Sequence, residues 1–209
     1  MIGEIASDNS LCGGESASDV IGLQKIDDMI HDPVNDQLSR IWQYMYEGVN
    51  RANYMIENKD KIDFPRKNEL YGEVHFLRAF FYFELVKIYG DVPLFTNGRL
   101  TAGDSGTLKR VAKSEVYSVI ESDLLSAISV LPAKKSTDGR ATAFTAHALL
   151  GKVYLYQDKF ADAANILEPL VGLYTLPSDP SSVFLVEGEN GPESVFEIQH
   201  SKESNGWNW

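Results

Sequence analysis

Residues 68–94, NELYGEVHFLRAFFYFELVKIYGDVPL, constrain what this chain can fold into more than any other stretch. Their centre, residues 76–86, holds nine apolar residues in eleven, counting Tyr82 and broken only by Arg78 and Glu84. The run is too long and too poor in β-branched residues for a buried strand, and its two charges make a poor membrane span. At 100° per residue it has two apolar faces, one with Leu70, Val74, Leu77, Phe81, Leu85 and Ile88, the other with Phe76, Ala79, Phe80, Phe83 and Val86. A surface helix needs one stripe, so two stripes predict a central helix with neighbours on both sides. Gly90 suits a left-handed cap, and Pro93 prevents the helix from resuming. On this basis Phe81→Ala is expected to cost about 3–5 kcal/mol as a core truncation.

The flanking sequence supplies the neighbours. Residues 35–58 read as an amphipathic helix, with Leu38, Ile41, Trp42, Met45, Val49, Ala52 and Ile56 at three- and four-residue steps and Asn35 or Asp36 as N-cap. A short turn containing Pro65 should pair it antiparallel with the central helix. Ser114 is the expected cap of a helix running to Leu131, closed by Pro132. Residues 142–157 and 159–174 form a further helix pair around the turn at Gln157 and Asp158. Within it Gly151, Tyr154, Phe160, Ala163 and Leu167 take the spacings of a tetratricopeptide repeat, the bland alternative being a generic helical hairpin. Residues 194–199, SVFEIQ, alternate apolar and polar and read as a short strand or extended segment. The organisation expected is an irregular segment over 1–34, a helical scaffold over 35–175 and a loop-rich part starting over 176–209.

Charge and composition exclude several functions. A net charge of −11 argues against nucleic-acid backbones and anionic membrane surfaces. One cysteine, Cys12, forms no intrachain disulfide framework. The GDSG at residues 103–106 echoes a serine-protease loop, but that fold is all-β and none of the four histidines has the context of its base, so Ser105 reads as an ordinary loop residue. Asp27, Asp28, His31 and Asp32 could gather a cation, but three or more converging donors are needed and no standard metal motif occurs, so they read as a solvated acidic segment. No cofactor is implied. Arg78, beside an apolar face, should be a buried or half-buried guanidinium paired with a carboxylate or with helix-end carbonyls.

Taken in order, four segments resemble the SusD/RagB family. They are Trp42, Tyr46, Asn50, Asn53 and Ile56 as W-x3-Y-x3-N-x2-N-x2-I; E-x2-FLRA-x2-YF-x-LV-x2-YGDVPL from Glu73 to Leu94; VY-x2-I-x2-DL-x2-A-x3-LP from Val116 to Pro132; and GRAT from Gly139 followed by ALLGKVYLY from Ala148. ESVFEIQ at 193–199 and Ser7-Asp8-Asn9 agree more weakly. The resemblance implies an all-α fold of stacked, tetratricopeptide-like helical pairs with irregular insertions. It implies an outer-membrane, surface-exposed lipoprotein that binds oligosaccharide without cleaving it and passes it to a SusC-like TonB-dependent transporter. Members of that family are longer, so a signal peptide, a lipidated cysteine and a C-terminal part are expected outside these residues. A helical-repeat adaptor for a protein partner, with no sugar affinity, is the alternative.

Sugars stack their C–H faces on aromatic rings while Asn, Asp and Gln read the hydroxyls, a composition found in Asn205-Gly206-Trp207-Asn208-Trp209. Trp207, Asn208 and Trp209 are therefore candidate ligand contacts, with Asn9 added from the N-terminal segment; the competing reading has both tryptophans packed against further chain. Trp42, at a core spacing, reads as packing.

Overall fold

A computed structural model describes residues 2–7, 9–16, 18–101, 103–104, 106, 108–134 and 137–199. The chain divides into two compact units, Met1–Glu47 and Gly48–Trp209. The first holds α1 (Ile2–Ile5), α2 (Ile21–Asp27) and the opening turns of α3 (Asp36–Glu57). Asn35 is the N-cap of α3: its Oδ1 accepts the N–H groups of Gln37 (3.0 Å) and Leu38 (3.1 Å), and its Nδ2 donates to the Gly22 carbonyl at 2.9 Å. One side chain thus ends α2's neighbourhood and starts α3, satisfying donors that a helix terminus leaves open. Trp42, half-buried, meets Tyr46 with ring centroids 4.8 Å apart.

In the second unit, the rest of α3 lies antiparallel to α4 (Lys67–Tyr89), because Gly48 meets the Phe81 ring, Asn53 meets Arg78 and Lys59 sits over the Tyr71 ring. A Cβ on Gly48 would stand 2.4–2.6 Å from the Phe81 ring, so glycine is what permits this approach. Along α4 runs α5 (Lys113–Val130), again antiparallel, with Gly72 against Val130 and Leu131, Arg78 against Asp123 and Phe83 against Tyr117. The chain turns from α4 at Gly90, whose φ of 68° a side chain would strain. It then forms β1 (Val92–Pro93), paired antiparallel with β2 (Arg110–Val111), a small ladder that periodicity did not reveal. Asp91, in the corner, accepts the Lys113 N–H at 2.9 Å. The cap of α5 therefore comes from Asp91 across the ladder rather than from Ser114, which lies inside the first turn.

The last pair is α6 (Ala143–Leu155) and α7 (Phe160–Leu167). Thr142 and Thr145 close a capping box on α6. Gly151 lies under Leu167, where a Cβ would be 2.6 Å from that side chain, and Ala163 is buried, so the small residues of the repeat signature do sit at the close approach. Phe160 remains largely exposed. The helix expected over 159–174 is shorter: Pro169 removes a backbone donor, and α7 passes into a 3₁₀ turn over Glu168–Leu170. The strand or extended segment expected over 194–199 forms no ladder: Val195 sits in a bend and residues 196–199 take no regular structure; Phe196 packs edge-on against Phe76 at 5.6 Å, and the Thr145 hydroxyl donates to the Val195 carbonyl at 3.3 Å. Among the described residues the architecture is all-α apart from the two-residue ladder.

The two-faced reading of α4 needs a correction. Its deepest residues are Ala79, Tyr82, Phe83 and Leu85, and Arg78 is buried beside them, whereas Leu77 and Ile88 are exposed and Phe80 and Phe81 are half-buried. Polarity at positions 78 and 82 does not turn them to solvent, because buried partners satisfy both heads.

Candidate functional site

Those partners form a polar hub between α3, α4 and α5. The Arg78 guanidinium donates from Nε to Asp123 Oδ2 and from Nη2 to Asp123 Oδ1, both at 2.7 Å, a bidentate fork between two nearly inaccessible side chains. Its Nη1 donates to Asn53 Oδ1 at 2.8 Å and to the Thr96 carbonyl at 3.3 Å. His75 Nδ1 approaches Asp123 Oδ1 at 2.7 Å from the more exposed side. Each helix contributes through an apolar stripe interrupted by a polar residue: Val49, Ala52 and Asn53 on α3, Ile120, Asp123 and Leu124 on α5. Among the described residues no buried side-chain polar atom is left without a partner.

The hub holds a loop. Asn53 Nδ2 donates to the Phe95 carbonyl at 3.0 Å; the Tyr82 hydroxyl donates to the same carbonyl at 2.6 Å and accepts the Phe95 N–H at 3.0 Å. Burial pushes the Tyr82 hydroxyl well above the usual tyrosine range, so it stays protonated and donating. Asn50 Oδ1 accepts the Leu100 N–H at 2.7 Å. The segment after α4 is thereby pinned at residues 95, 96 and 100. Beyond it, Asp104 accepts the N–H and hydroxyl of Thr101, each at 2.8 Å, and these bonds hold its carboxyl below the usual range.

On another side of α4, Phe76, Leu77, Phe80 and Phe81 line a groove of about 420 Å³, walled by Phe196 and Ile198 with Asp138 and Gln199 at its rim. Its size suits a small ligand, but its lining is overwhelmingly apolar.

Of the residues singled out in the sequence, Arg78 has the expected carboxylate partner, while the carbonyl it also reaches, that of Thr96, belongs to the loop after β1 and not to a helix end. Asn9 is exposed in the first unit, its N–H 3.3 Å from the Ser7 hydroxyl. Trp207, Asn208, Trp209 and Ser105 lie outside the described residues. Asp27 accepts the Cys12 N–H at 2.8 Å and Asp32 pairs with Lys25 at 3.2 Å; among the described residues no three metal-ligating side chains gather. Asp123 and Asn53, the other half of the hub, stand in the sequence as members of the family motifs with no role of their own. The available signal was a lone acid and a lone amide on inward stripes, complementary to Arg78 on a third helix.

A family model described as "Starch-binding associating with outer membrane" matches residues 3–155. Over 177 residues the chain is 30% identical to a SusD-like protein, P38, of Formosa agariphila, covering 79% of this chain and 35% of that protein. Among solved structures, a "Laminarin binding SusD-like protein" superposes with a TM-score of 0.87 at 32% identity, over 96% of this chain and 46% of that one. A SusD-like protein from Bacteroides fragilis gives 0.77 at 31% identity, over 87% and 37%. The chain thus spans a third to a half of the length of these relatives.

Proposed function

The chain belongs to the SusD/RagB family, and from that premise we propose that it is part of a non-catalytic oligosaccharide-binding protein of the outer-membrane surface that hands its ligand to a SusC-like TonB-dependent transporter. The observation that carries the glycan reading is the relative named for laminarin binding, to which this chain is 32% identical over 96% of this chain and 46% of that one. The chemistry of the hub agrees with binding rather than turnover. Its one Asp–His couple is tied up by a bidentate arginine under a packed helix pair, which leaves Asp123 no substrate to serve. Trp207, Asn208, Trp209 and Asn9 remain proposed ligand contacts, the rings stacking on sugar faces and the amides reading hydroxyls.

The test is affinity electrophoresis of the chain through gels carrying laminarin or starch, followed by calorimetry on any glycan that retards it. Retardation without release of reducing ends is the expected result. Free migration through every glycan gel would overturn the reading, and reducing ends lost on a single carboxylate substitution would make it an enzyme. Pull-down of a TonB-dependent transporter from outer-membrane extract addresses the partner.

A further inference from the structure

The pinned loop displays something that packing does not require. Arg99 lies over the Tyr54 ring, its guanidinium carbon 5.1 Å from the ring centroid, and both residues are exposed. Among the described residues the Arg99 guanidinium makes no hydrogen bond or ion pair, and neither do the Tyr54 hydroxyl or the Glu57 carboxylate. Glu57 stands by the loop, its carboxylate 3.4–3.6 Å from where a Gly98 Cβ would be, and Gly98 itself takes a φ of 70°. The ring contact thus places the guanidinium while leaving its donors open, with an open phenol and an open carboxylate nearby.

Two things separate this cluster from ordinary surface polarity. First, its base is rigid: four side chains from beneath, those of Asn50, Asn53, Arg78 and Tyr82, hold the backbone on which Arg99 rides. A simple connection between α4 and β2 needs no such anchoring, whereas a binding loop gains affinity when its ordering is already done. Second, the cluster offers directed donors and a full acceptor together. An anion would meet Glu57 and a net charge of −11, and an apolar ligand would leave these groups unsolvated. Adjacent hydroxyls, which donate and accept at once, satisfy both kinds of group.

The geometry points to Tyr54, Glu57 and Arg99 as a saccharide contact made of other residues than those proposed above and those lining the apolar groove: Arg99 donates to sugar hydroxyl oxygens, Glu57 accepts from a neighbouring hydroxyl, and the exposed part of the Tyr54 ring meets the sugar's C–H face. This rests on the glycan-binding reading above.

The test uses the full chain and its Tyr54→Ala, Arg99→Ala, Arg99→Lys and Glu57→Gln variants, with laminarin and starch as probes in affinity gels and calorimetry. The expected result is a loss of about tenfold in affinity for each alanine variant, with Arg99→Lys recovering little because an ammonium lacks the planar fork. Melting temperatures read alongside separate this from a structural role, because all three side chains are exposed and their loss should leave folding nearly unchanged. Wild-type binding with every variant within about twofold overturns this contact and leaves the functional reading standing. Failure of the wild-type chain to bind either glycan overturns both.

Discussion

The hub side and the groove side of α4 lie on one helix, yet they obey different rules. Toward α3 and α5 the helix presents Arg78 and Tyr82, fully partnered and buried to the level of its phenylalanines. Toward the groove it presents Leu77, Phe80 and Phe81, apolar and only partly covered, with the Phe81 ring reaching from there to Gly48 of α3. Burial here follows satisfaction of polar groups more closely than hydrophobicity. The hub joins three helices and a loop through directional bonds, so a change on that side propagates; a change in the groove alters local packing.

The sharpest way to break this contrast is to remove one member of the charged pair. Arg78→Ala or Asp123→Ala should cost about 3–5 kcal/mol, since each leaves an uncompensated buried charge, and denaturant titration reads the loss. The double variant Arg78→Met/Asp123→Leu should recover much of it, because no charge is then stranded. If the double change costs as much as the two single changes summed, the pair is not the organising interaction. Tyr82→Phe should cost about 1–3 kcal/mol, because it removes the hydroxyl that accepts the Phe95 N–H while Asn53 still serves the carbonyl.

Phe81→Ala belongs to the other side. As a half-buried ring it should cost about 1–1.5 kcal/mol, roughly half the value for complete burial and well below the figure expected from periodicity. A loss as large as Tyr82→Phe at its upper bound would erase the distinction between the faces. Gly48→Ala, which drives a methyl into that ring, should cost about 1–3 kcal/mol by overpacking.

Alkaline titration provides the smallest and most specific test. The Tyr82 hydroxyl is raised above its unfolded value near 10, so its contribution to stability is intact below about pH 10 and is lost as pH rises further. Phenolate absorbance should show Tyr82 ionising only with unfolding, and the Tyr82→Phe variant should lose that part of the alkaline dependence.

Much of the scaffold was legible in residue order. The three-and-four spacing of α3, the Asn35 cap, the Gly90 corner, and the small residues Gly151 and Ala163 are local features, and each acts where its sequence neighbours place it. The Asp91 cap on α5 was not legible, because it reaches 22 residues along the chain through a two-residue ladder. Nor was the exposure of Leu77: a helical wheel ranks positions by polarity and cannot see that Arg78 has a carboxylate waiting on α5. The candidate Tyr54–Arg99 contact was missed for the same reason, since its members come from different elements and meet only through the pinned loop.

By itself, the sequence determined that the chain is helical, which elements follow which, and the family to which that order belongs, because periodicity, caps and breakers act over a turn or two of backbone. The tertiary structure decided which face of the central helix is core and, among the described residues, which polar groups are satisfied inside it. Burial of a charge depends on a partner distant in the chain, and no local pattern encodes where that partner will stand.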